Sequence, residues 1–155
     1  VWYTDTPAHF EEHAAAFKYR VDGKAGVAYV VISGDVTLNH KFVKSSSTDP
    51  VGLVVFIDGN LTITEDVGID SSDIESVFVV SGTITVQGSQ DMTVIGGQLN
   101  VKGGFYTSGN FIVERALNTT ERLNNPIVKV TSDPVYWLHE GDSALSISPI
   151  YWEEI

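Results

Sequence analysis

The sequence contains no cysteine in 155 residues, which excludes disulfides, cysteine nucleophiles and thiolate metal sites. That absence assigns no compartment, because secreted proteins large enough to build a core dispense with disulfides. Basic residues are scarce. Nine lysines and arginines face 20 aspartates and glutamates, leaving a net charge of −11. Nucleic-acid binding requires a basic footprint to displace counterions, and none is present. An anionic membrane surface repels such a chain for the same reason. Long apolar runs are also missing; none approaches the ~20 residues of a spanning helix. The chain begins at Val1 without an initiator methionine or a signal pattern, and reads as a mature product or an excised piece.

What is present is a repeat. Ile32-Ser33-Gly34-Asp35-Val36-Thr37-Leu38 returns as Ile57-Asp58-Gly59-Asn60-Leu61-Thr62-Ile63 and as Val80-Ser81-Gly82-Thr83-Ile84-Thr85-Val86. Ile95-Gly96-Gly97-Gln98-Leu99-Asn100-Val101 and Thr107-Ser108-Gly109-Asn110-Phe111-Ile112-Val113 complete the set. Positions two and four after the glycine share one face, since strand side chains alternate. All ten are apolar: Val36, Leu38, Leu61, Ile63, Ile84, Val86, Leu99, Val101, Phe111 and Val113. The residues between them are mainly Thr or Asn, which suits a solvated outer face. A second apolar strand precedes the glycine in 27–32, 53–57 and 76–80.

Strand, glycine corner, strand, repeated, predicts a mainly β domain: a single-stranded parallel β-solenoid, right-handed by the general rule for parallel crossovers. Gly34, Gly59, Gly82 and Gly109 recur at 25, 23 and 27 residues, within the range of repeat architectures. Gly97 falls inside the last interval, so the phrase there marks a different corner. The rival reading is an antiparallel sandwich, disfavoured because the repeats lack well-specified hairpin turns. One domain spans 1–155, with a capping helix at 7–20, rungs at 27–117 and an irregular tail or cap at 118–155. Thr6 as N-cap, Pro7 at the first turn and Phe10, Ala14 and Phe17 on one face support the helix.

Candidate chemistry is sparse. His9-Phe10-Glu11-Glu12-His13 matches a zinc-peptidase pattern, but no later helix supplies a third ligand. Asp58, Glu65, Asp66, Asp70, Asp73 and Glu75 form an acidic run without a calcium-loop spacing. His40 and His139 fall in loops or strand ends. Arg20, Arg115 and Arg122 lie outside the regular repeats, and the outward strand positions Thr37, Thr62, Thr85 and Asn100 offer no acid or base. Asn60-Leu61-Thr62 and Asn118-Thr119-Thr120 are glycosylation sequons. Trp2-Tyr3, Tyr136-Trp137 and Tyr151-Trp152 place the tryptophans near the chain's flanks, as cover for the core or as a sticky surface. No catalytic, cofactor-binding or metal residue is assigned.

The helix, Gly34, the Asp58-Gly59-Asn60-Leu61-Thr62-Ile63 phrase, Asn124-Asn125-Pro126, Asp133-Pro134-Val135-Tyr136 and the closing Trp152-Glu153-Glu154 carry a resemblance. Together, over 7–155, they resemble the helix-capped β-solenoid domains that end large bacterial surface proteins. The repeats are also similar in style to bactofilins, cytoskeletal solenoids that polymerise end to end. The helix and long tail depart from bactofilins and obstruct stacking at one end at least. The resemblance implies an exported, extracellular or cell-surface structural role, with no catalytic residues to carry over. The expectation is a non-catalytic assembly domain, as in a surface appendage or filament. Its partners would be further copies or other surface subunits. Carbohydrate binding or processing, with a glycan as partner, is one alternative; a bactofilin-like scaffold is another. Nucleic acid and membrane contact by this segment are not expected.

Overall fold

The computed structural model describes residues 2–12, 26–43, 52–68, 74–88, 97–117 and 126–132. Within them the apolar runs do what runs of β-branched residues favour. They form eleven short strands and one helix: β1 (Trp2–Asp5), α1 (Pro7–Glu11), β2 (Val27–Ser33), β3 (Val36–Leu38), β4 (Gly52–Asp58), β5 (Leu61–Ile63), β6 (Val77–Val80), β7 (Ile84–Val86), β8 (Leu99–Lys102), β9 (Gly104–Thr107), β10 (Phe111–Val113) and β11 (Val128–Thr131). All strand pairs are parallel. The chain winds as a β-solenoid of about 4 turns.

Each coil has three sides. The first side is the sheet β1-β2-β4-β6-β9, and the second is β3-β5-β7-β10. The third side pairs β8 with β11, and single bridges extend it from Val101 to Ile74 and from Ile74 to Phe42. The pairing is in register: Leu61 lies beside Ile84 and Ile84 beside Phe111, so like residues stack on like. The core is the resulting interior, with Val30, Val55, Leu61, Ile63, Phe78, Ile84, Val86 and Leu99 fully buried.

The repeated glycine is explained by the coil spacing. A Cβ at Gly59 would sit 2.5 Å from the Gly34 carbonyl oxygen, and at Gly82 or Gly109 it would sit 2.6 Å from the oxygen of the corner glycine one coil earlier. The corners therefore stack at backbone contact, where only glycine fits. A side-chain ladder runs beside them. The Asn60 N–H and Nδ2 donate to Asp35 Oδ1 at 2.8 and 2.9 Å, and Thr83 N–H donates to Asn60 Oδ1 at 2.8 Å. The asparagine of the first sequon is thus a rung of this ladder. Gly59→Ala is expected to lower stability by about 1–3 kcal/mol, the range for forced overpacking. Urea unfolding measures this against Ser33→Ala, an exposed site expected to be neutral.

Gly97 marks a different corner, as its place inside the last interval implies: it leads into β8, so Leu99 and Val101 face the core from the third side. The last coil runs on to Thr131 rather than stopping at 117, because β11 pairs with β8. The helix is described over Pro7–Glu11; the rest of the expected 7–20 span, and the tail at 133–155, lie outside the described residues.

Candidate functional site

The two ends of the solenoid are built differently. At the start, β1 pairs with β2 and α1 sits over β3. Thr6 caps the helix by accepting His9 N–H at 3.3 Å, with Pro7 at its first turn. The edge of β3 is closed by a side chain: Thr37 N–H donates to Glu11 Oε1 at 2.6 Å. His40 Nε2 lies 2.8 Å from the Glu11 carbonyl oxygen. Phe10 is fully buried and enters an aromatic column inside the coil: Phe10 to Phe42 at 5.0 Å, Phe42 to Phe78 at 6.0 Å, Phe78 to Phe105 at 6.0 Å and Phe105 to Phe111 at 5.6 Å.

At the far end the last ring of that column is partly exposed. Phe111 and Val113 point inward by register, yet they are 42% and 39% exposed, whereas Ile84 and Val86 one coil earlier are 0% exposed. Ile112 and Val130 are exposed beside them. Parallel sheets are normally covered on both faces, and among the described residues this apolar end lacks such a cover.

The outer faces also differ from one another. On the second side the outward positions are Thr37, Thr62 and Thr85 on β3, β5 and β7, as the phrase predicts, and Ile112 on β10. On the first side they are apolar: Tyr29, Val31, Val54, Phe56, Val79 and Tyr106. Trp2, 65% exposed, lies nearly parallel across two of these rings, 4.7 Å from Tyr29 and 5.7 Å from Phe56. Beside it, Val31, Phe56, Val79 and Tyr106 floor a shallow trough of about 410 Å³ with Asp58 and Ser81 on its lip. Ser81 Oγ donates to Asp58 Oδ1 at 3.0 Å and accepts Gly59 N–H at 3.0 Å, which fixes that lip. Trp2, near the chain's flank, is therefore not alone on this surface. Tyr29, Phe56 and Tyr106 stand mid-coil, and the pairing gathers them with Trp2 into one stripe.

The residues singled out for chemistry are tied to the fold. His9 Nδ1 is 2.7 Å from Asp5 Oδ1, Glu11 closes β3, and His13 lies outside the described residues. Of the acidic run, Asp58 holds Ser81 and Asp66 accepts from Thr64 Oγ1 at 3.5 Å. Asp70 and Asp73 lie outside the described residues.

Arg115 is the residue that sequence reasoning missed. It is buried at 4% exposure, and all five of its N–H donors are used. Nε and Nη2 donate to the Gln87 oxygen at 2.9 and 2.7 Å, Nη1 to Val67 and Gly97 at 2.8 Å each, and Nη2 to Thr64 at 3.0 Å. These carbonyls belong to the second-to-third-side turns of two successive coils, and Arg115 follows β10 on the next. The guanidinium is thus a clamp across three coils. Gly68 and Gly88 make its channel: a Cβ on either would fall 2.3 Å from an Arg115 atom. A lone arginine directly after the last phrase, with glycines in the preceding two turns, was the available signal.

Comparison with protein families, curated proteins and solved structures yields no match to this chain, so its assignment rests on the coil, its two unlike ends and its apolar first side.

Proposed function

We propose that this chain is a non-catalytic structural or assembly domain of an exported microbial surface protein, a short rigid rod that joins other subunits. The observation that carries this is the apolar outer face of the first side. Its strands are apolar in both alternating sets, the pattern of a sheet covered on both faces, while the second side carries threonines toward water. A contiguous apolar stripe on an otherwise acidic domain is the chemistry of a protein contact. The capped start supports a surface domain over a bactofilin-like scaffold, which needs both ends free to stack. Phe56→Lys is expected to abolish co-assembly with subunits of the parent surface structure while leaving the unfolding midpoint within about 1 kcal/mol, since the site is on the outer face. Pull-down with the parent structure checks the first and urea unfolding the second. Loss of folding in place of loss of assembly would count against the reading.

A second reading has one specific observation in its favour. The flat stack of Trp2 on Tyr29 and Phe56, with Asp58 and Ser81 nearby, is the mix of ring face and polar lip that saccharides use. A glycan array separates the two. Binding that Trp2→Ala abolishes favours the carbohydrate reading; no binding leaves the protein contact.

A further inference from the structure

We infer that the open end of the solenoid is closed by a second copy of this chain, in a two-fold, tail-to-tail dimer. This rests on the assembly reading and narrows it from a filament to a closed pair. The start of the coil has Phe10 in its core, and Glu11 occupies the N–H of β3. A head-to-tail stack would have to displace both. An isologous contact through the far end requires neither, and it terminates by symmetry.

The end is complementary to itself. A two-fold axis perpendicular to the solenoid and passing through the first side lays β10 of one copy antiparallel to β11 of its partner. Phe111 and Val113 point inward, as do Val128 and Val130, which share the registers of buried Leu99 and Val101. The two apolar pairs therefore meet on the core side, and Ile112 meets the aliphatic stem of the partner's Lys129. Exposed Glu114, one step beyond β10, then lies diagonal to the partner's Lys129, within reach of opposite charges on neighbouring strands. The symmetry makes this pair twice.

The test is sedimentation of the full chain over a wide concentration range at 0.15 M salt, where the Debye length of about 8 Å screens the net charge. The expected result is a mass that doubles from 16.8 kDa and stops there, with amide exchange slowing in β10 and β11 as the dimer fills. Lys129→Glu, which sets like charges on that diagonal, should weaken dimerisation at least tenfold, and Glu114→Lys combined with Lys129→Glu should restore it. Both sites are exposed, so the variants keep the fold. A monomer at every concentration, growth into filaments, or no rescue by the double swap would overturn the inference. In the first case, slow exchange in β10 would identify residues 133–155 as the cover. None of these results removes the proposed function if Phe56→Lys still abolishes co-assembly. That reading fails on its own test.

Discussion

Arg115→Met should be among the most destabilising single changes in this protein, at about 4 kcal/mol or more. The substitution retains an aliphatic stem and removes five donors; the Val67, Gln87 and Gly97 carbonyls lose the donors that now satisfy them, while the Thr64 oxygen keeps the Val67 N–H at 3.2 Å. A buried polar group stripped of its partner costs about 1–3 kcal/mol, and some of these carbonyls will recover water. Arg115→Lys should rescue little, because an ammonium offers three donors from one point where the site needs a planar fork. For a chain of this length about 4 kcal/mol corresponds to a fall in melting temperature of roughly 8–16 °C. Calorimetry of both variants measures it. A loss under about 1 kcal/mol for Arg115→Met would mean that the turns hold themselves and the clamp is incidental.

The second large effect is at Ile84. Its side chain is 0% exposed, and it stacks between Leu61 and Phe111 on the second side. Ile84→Asp places a carboxylate among aliphatic groups with no donor arranged to meet it. The expected cost is several kcal/mol, enough to consume much of the stability of a small domain. Thr85→Asp, one residue on and facing outward, is the control; like charges are absent from its neighbours Thr62 and Ile112, and a cost below about 1 kcal/mol is expected. Urea unfolding of the pair gives the difference directly. Equal tolerance at both sites would reverse the assignment of inner and outer faces.

Much of the coil was legible in the repeated phrase, for a physical reason. In a parallel, in-register stack each coil repeats the constraints of the one before, so the corner glycine and the two apolar positions after it must recur. Eight of the ten predicted inward residues are buried, and the other two, Phe111 and Val113, face inward in the last coil. Leu99 and Val101 show the limit of this. They carry the same local pattern yet occupy the third side, since alternation encodes which face is apolar and not which side of the prism a strand joins. The outer face of the first side was not legible for a related reason. Its runs from Val27 and Leu53 are apolar throughout, which reads as burial without saying what covers the outer face. The stripe of Trp2, Tyr29 and Phe56 arises from strand pairing between residues 27 and 25 apart, which no local window contains. Arg115 was invisible for the same cause: its partners lie 18 to 51 residues away in sequence.

Every assignment above depends on the coils stacking parallel and in register, and the absence of cysteine makes that simple to test. Thr62 and Thr85 are register partners on adjacent strands, whereas Thr37 and Thr85 are two strands apart. Adjacent strands lie about 4.8 Å apart, inside the Cα range of about 4.4–6.8 Å that a disulfide spans. The measurement is oxidation of the Thr62→Cys/Thr85→Cys double variant in dilute solution. A bridge within one chain that leaves the melting temperature intact, with none in the Thr37→Cys/Thr85→Cys variant, is the predicted result. Failure of the first pair to close, or closure of the second pair in its place, would contradict the stacked coil itself.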